Sequence, residues 1–292
     1  MTAEASALPP GTPPVLTTAQ QMRQWAAEQK AAGARIGLVP TMGSLHAGHF
    51  SLVDQARQNA DVVVVSIFVN PLQFGPGEDF ELYPRAVESD LEKLAGRGVD
   101  AVFVPDIDDI YPDGPGAAAS VSAGPMGDVL EGAIRPGHFD GVLTVVTRLF
   151  DLTGCDLAVF GKKDAQQLVL IEQMVRDENL PVSIVRGEIV RDDDGLALSS
   201  RNVYLSTDER RHALVLQHQL RLLATHPTPL EALPDARAAI DAKPGVELDY
   251  LEAVSSATLQ PCSGESDGEL LIVGAMRVGT TRLIDNAWIG RR

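Results

Sequence analysis

Hydrophobic and polar positions along the chain fall into alternating blocks. "TTAQQMRQWAAEQKAAG" opens on a threonine cap, carries Met22, Trp25 and Ala26 at helical spacing and stops at Gly33, which predicts a helix of about four turns. "RIGLVP" then reads as a short buried strand, and "HFSLVDQARQNA" as a helix with Phe50, Leu52, Val53 and Ala56 on its inner side. The β-branched run "ADVVVVSIFVN" shows no alternation, the mark of a strand covered on both faces. Further along, "SDLEKLAGRG" is helical, "VDAVFVPD" a strand, "GVLTVVTRLFDLTG" helical and "CDLAVFG" another buried strand. A long helix, "DAQQLVLIEQMVRDENL", precedes the strand-like "VSIVRGEIVRD".

This order predicts an α/β fold. A parallel sheet carries helices on both sides, and right-handed crossovers make it doubly wound and Rossmann-like. The pattern changes after about Arg191: "DERRHALVLQHQLRLLATH" and "PLEALPDARAAIDAK" are helical, and three strand-like runs follow, "ELDYLEAVSS", "GELLIVGAMRVG" and "TTRLIDNAWIG". The expected organisation is a Rossmann-like domain over residues 17–190 and a smaller C-terminal α+β domain over 191–292 that closes over the site. Residues 1–16, "MTAEASALPPGTPPVL", are rich in Pro and Ala and carry no period, so a disordered tail is expected there.

Charge narrows the partners. With 40 Asp and Glu against 24 Lys and Arg, the net charge of -16 repels a polyanion, so nucleic acid is not an expected partner. No apolar stretch reaches the length of about 18 residues that a membrane span needs, and the N-terminus lacks the layout of a secretory signal, so no membrane partner is expected and a cytoplasmic location is. Cys155 and Cys262 are too few and too far apart for a disulfide framework or a structural zinc site.

Candidate chemistry gathers where predicted strands end. In open parallel sheets ligands bind beyond the carboxyl ends of strands, and "PTMGSLHAGH" leaves such an end. His46 and His49 lie three apart, on one face of a first helical turn, where backbone N–H groups and the helix dipole attract anions. A neutral imidazole donates a hydrogen bond to phosphate oxygen, and the positive helix end favours that form. Gly48, lacking a Cβ, is expected to let a flat base or a phosphate approach the backbone. "SIFVNPLQFG" ends a strand with Asn70 and Gln73, uncharged amides suited to hydroxyl and carboxylate groups, although Asn70 before Pro71 also suits a plain turn. "AVFGKKDAQQ" offers Lys162, Lys163, Asp164, Gln166 and Gln167, an anion site or the solvated start of a helix. "GLALSSRN" sets Ser199 and Ser200 beside Arg201, a phosphate clasp or a turn.

The order of these strings resembles the nucleotidyltransferase superfamily that shares its fold with class I aminoacyl-tRNA synthetases. The fuller strings "VPTMGSLHAGH", "SIFVNPLQFG", "YPR", "LEGAIRPGHFDGVLTVV", "FGKKDAQQLVLI", "DGLALSSRN" and "TRLIDN" resemble the pantoate–β-alanine ligase family, from about Ile36 to Asn286. That resemblance implies an ATP- and Mg²⁺-dependent ligation in two steps, through pantoyl adenylate, with pantoate, β-alanine and ATP as small-molecule partners, and a homodimer. It assigns His49 as proton donor, with His46, Lys163 and Arg201 beside it as catalytic groups. ATP contacts carry over to Pro40, Thr41, Met42, Gly43, His46, Gly48 and His49, to Gly161, Lys162, Lys163 and Asp164, and to Val190, Leu198, Ser199, Ser200 and Arg201. Gln73 and Gln167 carry over as pantoate ligands, Gln73 also lying near β-alanine. Met42 and Asn70 join the substrate set, and Glu131 and Arg135 are supports.

Three positions depart from the family pattern. Lys162 stands where the family usually has Glu, Ala165 where Tyr is frequent, and Leu198 where Met is usual, a volume-conserving change. Two other classes share the histidine signature: a transferase acting on a phosphorylated acceptor, and a catalytically silent nucleotide-binding regulator. The transferase needs more cation at its acceptor pocket, whereas Asn70, Gln73 and Gln167 suit a neutral hydroxyl and a single carboxylate.

Overall fold

The structure, a computed structural model, describes residues 9–75, 80–118, 120–262 and 269–290. In chain order the elements are β1 (Val15–Leu16), α1 (Ala19–Ala31), β2 (Ile36–Thr41), α2 (Ala47–Asn59), β3 (Val62–Ile67), α3 (Val87–Leu94), β4 (Ala101–Phe103), α4 (Ile107–Ile110), α5 (Glu131–Ile134) and α6 (His138–Thr153). They continue with β5 (Leu157–Gly161), α7 (Ala165–Asp177), β6 (Ser183–Gly187), α8 (Thr207–Thr225), α9 (Pro229–Asp241), β7 (Val246–Ser255), β8 (Leu270–Val278) and β9 (Thr281–Ile289).

Six strands form one sheet in the order β1-β4-β3-β2-β5-β6, with parallel pairing of β2 to β3, β2 to β5 and β3 to β4. The chain winds outward from β2 through β3 to β4, then returns by α6 to lay β5 on the other flank of β2. The winding therefore reverses between β2 and β5, which makes their carboxyl ends the ligand-binding end of such a sheet. Val63, Val64 and Val65 of β3 and Ile36, Leu38 and Val39 of β2 are fully buried, so both faces of the central strands are covered, as the unbroken apolar runs foretold. At the start of α1, Thr18 and Gln21 form a reciprocal capping box, which sets the helix start two residues beyond Thr17.

The expected tail needs correction. Val15 and Leu16 pair in parallel with Val102 and Phe103 of β4 and close the sheet as an edge strand. Two residues are too short a run to show a period, and the prolines around them suit only a sheet edge. Residues 1–8 of that predicted tail lie outside the described residues.

The chain divides into two compact units, one of residues 1–123, 135–160 and 171–187, the other of 124–134, 161–170 and 188–292. A single cut near residue 190 was expected; two short segments from the first half belong instead to the C-terminal unit, and one division falls inside α7. Within the C-terminal unit, β7, β8 and β9 form an antiparallel sheet in that order. Its core joins Leu216, Leu220 and Leu223 of α8 and Ile240 of α9 to Leu251, Ile272 and Met276 of the sheet. Among the described residues no helix is long and apolar enough to cross a membrane. Cys155 is buried, and burial pushes its thiol up to about 12, as suits an inert side chain.

Candidate active site

β2 ends at Pro40 and Thr41, paired with Ser66 and Ile67 of β3. The chain then turns through two left-handed residues, Gly43 (φ 86°) and Ser44 (φ 52°). A serine in that region is uncommon and must be held there. The holder is Asp90 of α3, fully buried, whose carboxylate accepts the N–H groups of Ser44 at 2.7 Å and Leu45 at 2.8 Å. Lys93 balances it, 3.4 Å from Asp90 and donating to the Leu45 carbonyl at 3.2 Å. Thr41 adds a brace by donating to the Ser66 carbonyl at 2.7 Å and accepting the Gly43 N–H at 3.2 Å.

The turn delivers His46 as the cap of α2. Its Nδ1 accepts the Gly48 N–H at 3.1 Å, and Nδ1 of His49 accepts the His46 N–H at 3.3 Å. Two histidines thus form a reciprocal capping box, their ring centroids 4.1 Å apart. In a neutral imidazole whose Nδ1 accepts, the proton sits on Nε2. Gly48 also has a role within the turn itself. A Cβ there would lie 2.9 Å from Cε1 and 3.0 Å from Nδ1 of His46, so the glycine makes room for the capping ring.

Gln73 closes a 3-10 turn, Pro71–Gln73, beyond β3. Asn70 caps the turn and is almost fully buried. Its Oδ1 accepts from the Leu72 N–H at 3.2 Å and from the Tyr111 hydroxyl at 2.8 Å, and its Nδ2 donates to the Gly141 carbonyl at 3.0 Å and to Oε1 of Gln73 at 3.2 Å. Burial raises the Tyr111 pKa, which keeps the hydroxyl protonated as that donor. Those four bonds use the full capacity of an amide. Asn70, expected as a substrate ligand, is here a scaffold for Gln73, the turn role its place before Pro71 suits. Nε2 of Gln73 rests 2.9 Å from the Met42 sulfur, a weak acceptor. The Gln73 carbonyl accepts from Nη2 of Arg135 at 3.1 Å and lies 2.8 Å from Nδ1 of His138. Nη1 of Arg135 sits 3.2 Å from Nε2 of His138, so the tautomer that satisfies both contacts carries its proton on Nδ1. Helix α6 can approach this turn only because residue 141 is glycine: a Cβ there would fall 2.2 Å from the Leu72 carbonyl oxygen.

In the C-terminal unit, Gly161 to Asp164 link β5 to α7. Lys162 is ion-paired with Glu188, while the Lys163 ammonium lies 3.5 Å from the half-exposed Asp164 carboxylate. Asn286 of β9 donates from Nδ2 to the carbonyls of both Lys162 and Lys163, each at 2.8 Å. Gln166 is buried and committed, accepting the Glu131 N–H at 3.0 Å and donating to the Met126 and Val129 carbonyls at 2.9 and 2.8 Å. Gln167, its neighbour in the first turn of α7, is half-buried. Glu131 is bound to Arg282 at 2.6 and 2.8 Å and accepts from the Tyr250 hydroxyl at 2.6 Å, an internal brace. Val190 and Leu198 face each other across a small hairpin, the Leu198 N–H donating to the Val190 carbonyl at 3.0 Å. The hairpin leads into Ser199, whose hydroxyl accepts the Arg201 N–H at 3.3 Å and caps the 3-10 turn Ser200–Tyr204. Ser200 is half-buried and Arg201 exposed.

Sequence reasoning missed Asp90, His138, Asn286 and the Arg191–Asp285 pair. His138 and Asn286 stood inside quoted strings without a role. Asp90 read only as part of an amphipathic helix; its place on the inner side among Leu91 and Leu94 was the available signal. Asp90→Asn tests it, because the amide accepts one of the two N–H groups and sets its own NH₂ against the other. Leaving a buried donor unsatisfied costs about 1–3 kcal/mol. The expected result is a lower thermal midpoint together with slower turnover, read by calorimetry and by pyrophosphate exchange; an unchanged turnover would show that the turn keeps its shape without the carboxylate.

A parallel sheet of this order, with polar loops beyond the carboxyl ends of its central strands, defines the Rossmann-like class of α/β proteins. Residues 14–288 match the model of the family described as pantoate-beta-alanine ligase. The pantothenate synthetase of Thermobifida fusca is 49% identical over 285 residues, covering 94% of this chain and 95% of its own length. That of Nocardia farcinica is 52% identical over 260 residues, 88% of this chain and 80% of the relative. Among solved structures, the pantothenate synthetase of Thermus thermophilus superposes with a TM-score of 0.85 at 44% identity, covering 94% of this chain and 98% of its own. The pantoate-beta-alanine ligase of Francisella tularensis, solved with beta-gamma ATP and beta-alanine, superposes at 0.72 with 32% identity, covering 94% of this chain and 97% of its own. The chain belongs to the pantoate–β-alanine ligase family.

Proposed function

We infer that the chain condenses pantoate with β-alanine to pantothenate at the expense of ATP. A pantoate carboxylate oxygen bonds to the α-phosphorus as its bond to the bridging oxygen breaks, releasing pyrophosphate and leaving pantoyl adenylate. The β-alanine nitrogen then bonds to the acyl carbon, the anhydride C–O bond breaks, AMP leaves, and the nitrogen gives up a proton. The chemistry of the first step is charge stabilisation on phosphate oxygens, which placed donors supply.

The observation that carries this reading is the pair of capping contacts that opens α2: Nδ1 of His46 and of His49 each accept a backbone N–H, which sets two imidazoles at the helix N-terminus, and a neutral ring that accepts at Nδ1 carries its proton on Nε2, the nitrogen suited to phosphate oxygen. Lys163 supplies a cation to the phosphates, and Arg201, exposed on the turn after Ser199 and Ser200, a second. Gln73 turns its Nε2–H to pantoate, an amide that binds a carboxylate without attacking the anhydride; Gln167 is assigned the same substrate. Val190, Leu198 and the backbone from Pro40 to Gly43 contact the nucleotide. Mg²⁺ bound to ATP would neutralise phosphate charge, and Asp164, the acidic side chain among the nucleotide candidates, would be the residue to face it. The reading extends to a homodimer in the cytoplasm, on family resemblance.

Exchange of labelled pyrophosphate into ATP tests it. Exchange that depends on pantoate and not on β-alanine is the expected result. Exchange with a phosphorylated acceptor instead would assign a transferase, and none with any acceptor would assign a binding protein.

A further inference from the structure

Two consecutive residues of β9 each reach a different loop of the C-terminal unit. Asp285, buried, takes the Arg191 guanidinium in a bidentate pair at 2.6 and 3.0 Å. Arg191 also donates to the Gly195 carbonyl at 3.2 Å, and its backbone bridges to Ala197 across the hairpin that runs into Ser199, Ser200 and Arg201. Asn286, equally buried, donates to the carbonyls of Lys162 and Lys163. Its own N–H is accepted by Asp285 at 2.8 Å, so the two anchors are joined.

The asparagine makes a costly choice at this position. With both Nδ2 hydrogens committed, its Oδ1 is buried and has no hydrogen-bond partner among the described residues. A buried acceptor without a partner is unfavourable, and a small apolar residue would avoid the cost. Rotating the amide by half a turn would set Oδ1 against two carbonyl oxygens, which fixes the orientation. What asparagine provides here is therefore a pair of donors that grip two successive peptide carbonyls. Successive peptides held in this way fix the backbone from which the Lys163 side chain leaves.

We propose that Asn286 is the positioning residue for Lys163, and that the Asp285–Asn286 pair anchors both phosphate-gripping loops, the lysine loop and the serine–arginine turn, to one strand. The proposal rests on the reading of Lys163 as an ATP ligand. Asn286 itself touches no substrate; it acts through the direction of the ammonium. Asp285 acts in the same way on the hairpin, through Arg191.

A double-mutant cycle on ATP affinity tests this, with calorimetry on the full chain and four proteins: parent, Asn286→Ala, Lys163→Ala and the double variant. Asn286→Ala alone should weaken ATP binding about tenfold, the scale of one charge-assisted hydrogen bond. In the Lys163→Ala background it should weaken it less than about twofold, because the group it positions is gone. Pantoate affinity should not change. Equal, additive losses in both backgrounds would overturn the proposal and make Asn286 a general support of the unit. If the parent binds no ATP, the functional reading fails first and separately. If Asn286→Ala does not fold, the cycle is repeated with Asn286→Ser, which keeps one donor. Failure of that variant to fold would likewise overturn a positioning role in favour of a purely structural one.

Discussion

Replacing His49 with alanine is expected to lower adenylation turnover by about 100- to 1000-fold, the usual cost of losing one donor aimed at transition-state charge. The structure adds a second consequence. Nδ1 of His49 accepts the His46 N–H, so the alanine variant also loses half of the helix cap. Loss of a cap costs about 1 kcal/mol, so its melting temperature should fall by a few degrees. Glutamine separates the two effects, since a glutamine three residues after a cap reaches back to the same N–H. His49→Gln is expected to melt close to the parent and still turn over slowly. Pyrophosphate exchange and a melting curve on both variants decide the matter; exchange within about threefold of the parent in His49→Gln would remove the imidazole from the mechanism.

Lys163 carries the second large effect. Lys163→Ala is expected to lose at least about 100-fold in pantoate-dependent exchange, because a cation facing developing phosphate charge is removed. Lys162 is adjacent but differs in its partner: it is paired with Glu188, whose side chain is largely exposed. With its ammonium already committed to Glu188, Lys162 is not the cation assigned to the phosphates, so Lys162→Ala should fall far less. Glutamate at 162, the usual family residue, is expected to do worse than alanine here, since it would face Glu188. Reversing the pair with Lys162→Glu and Glu188→Lys should recover the loss. Equal loss in the two single alanine variants would mean that both ammonium groups meet the phosphates.

Most of the sheet was legible because its strands are buried on both faces. Runs such as "VVVV" leave no polar position to confuse the reading, and the helices between them announce themselves by spacing and by caps such as Thr18. β1 was not legible, for two residues have no period and their contribution depends wholly on β4 being beside them. The single domain boundary expected near residue 190 also reflects the limits of reading in chain order. Residues 124–134 and 161–170 gain their membership of the C-terminal unit from partners far along the chain, Glu131 from Arg282 and Lys162 from Asn286.

The candidate site divides along the same line. His46, His49, Gln73, Lys163 and Arg201 could be chosen from sequence because polar groups that follow apolar strand-like runs stand out there, and the resemblance to the family supplied their order and roles. Tertiary structure alone decided what each group is free to do. Gly48 serves a histidine ring, Asn70 spends all four hydrogen bonds on its own scaffold, and Gln166 is buried and committed while its neighbour Gln167 is half-buried. Asp90, His138 and Asn286 act through partners that stand 45, 65 and 124 positions away in the chain. The physical reason is that a hydrogen bond is set by distance and direction in space, whereas a sequence records only which donors and acceptors exist.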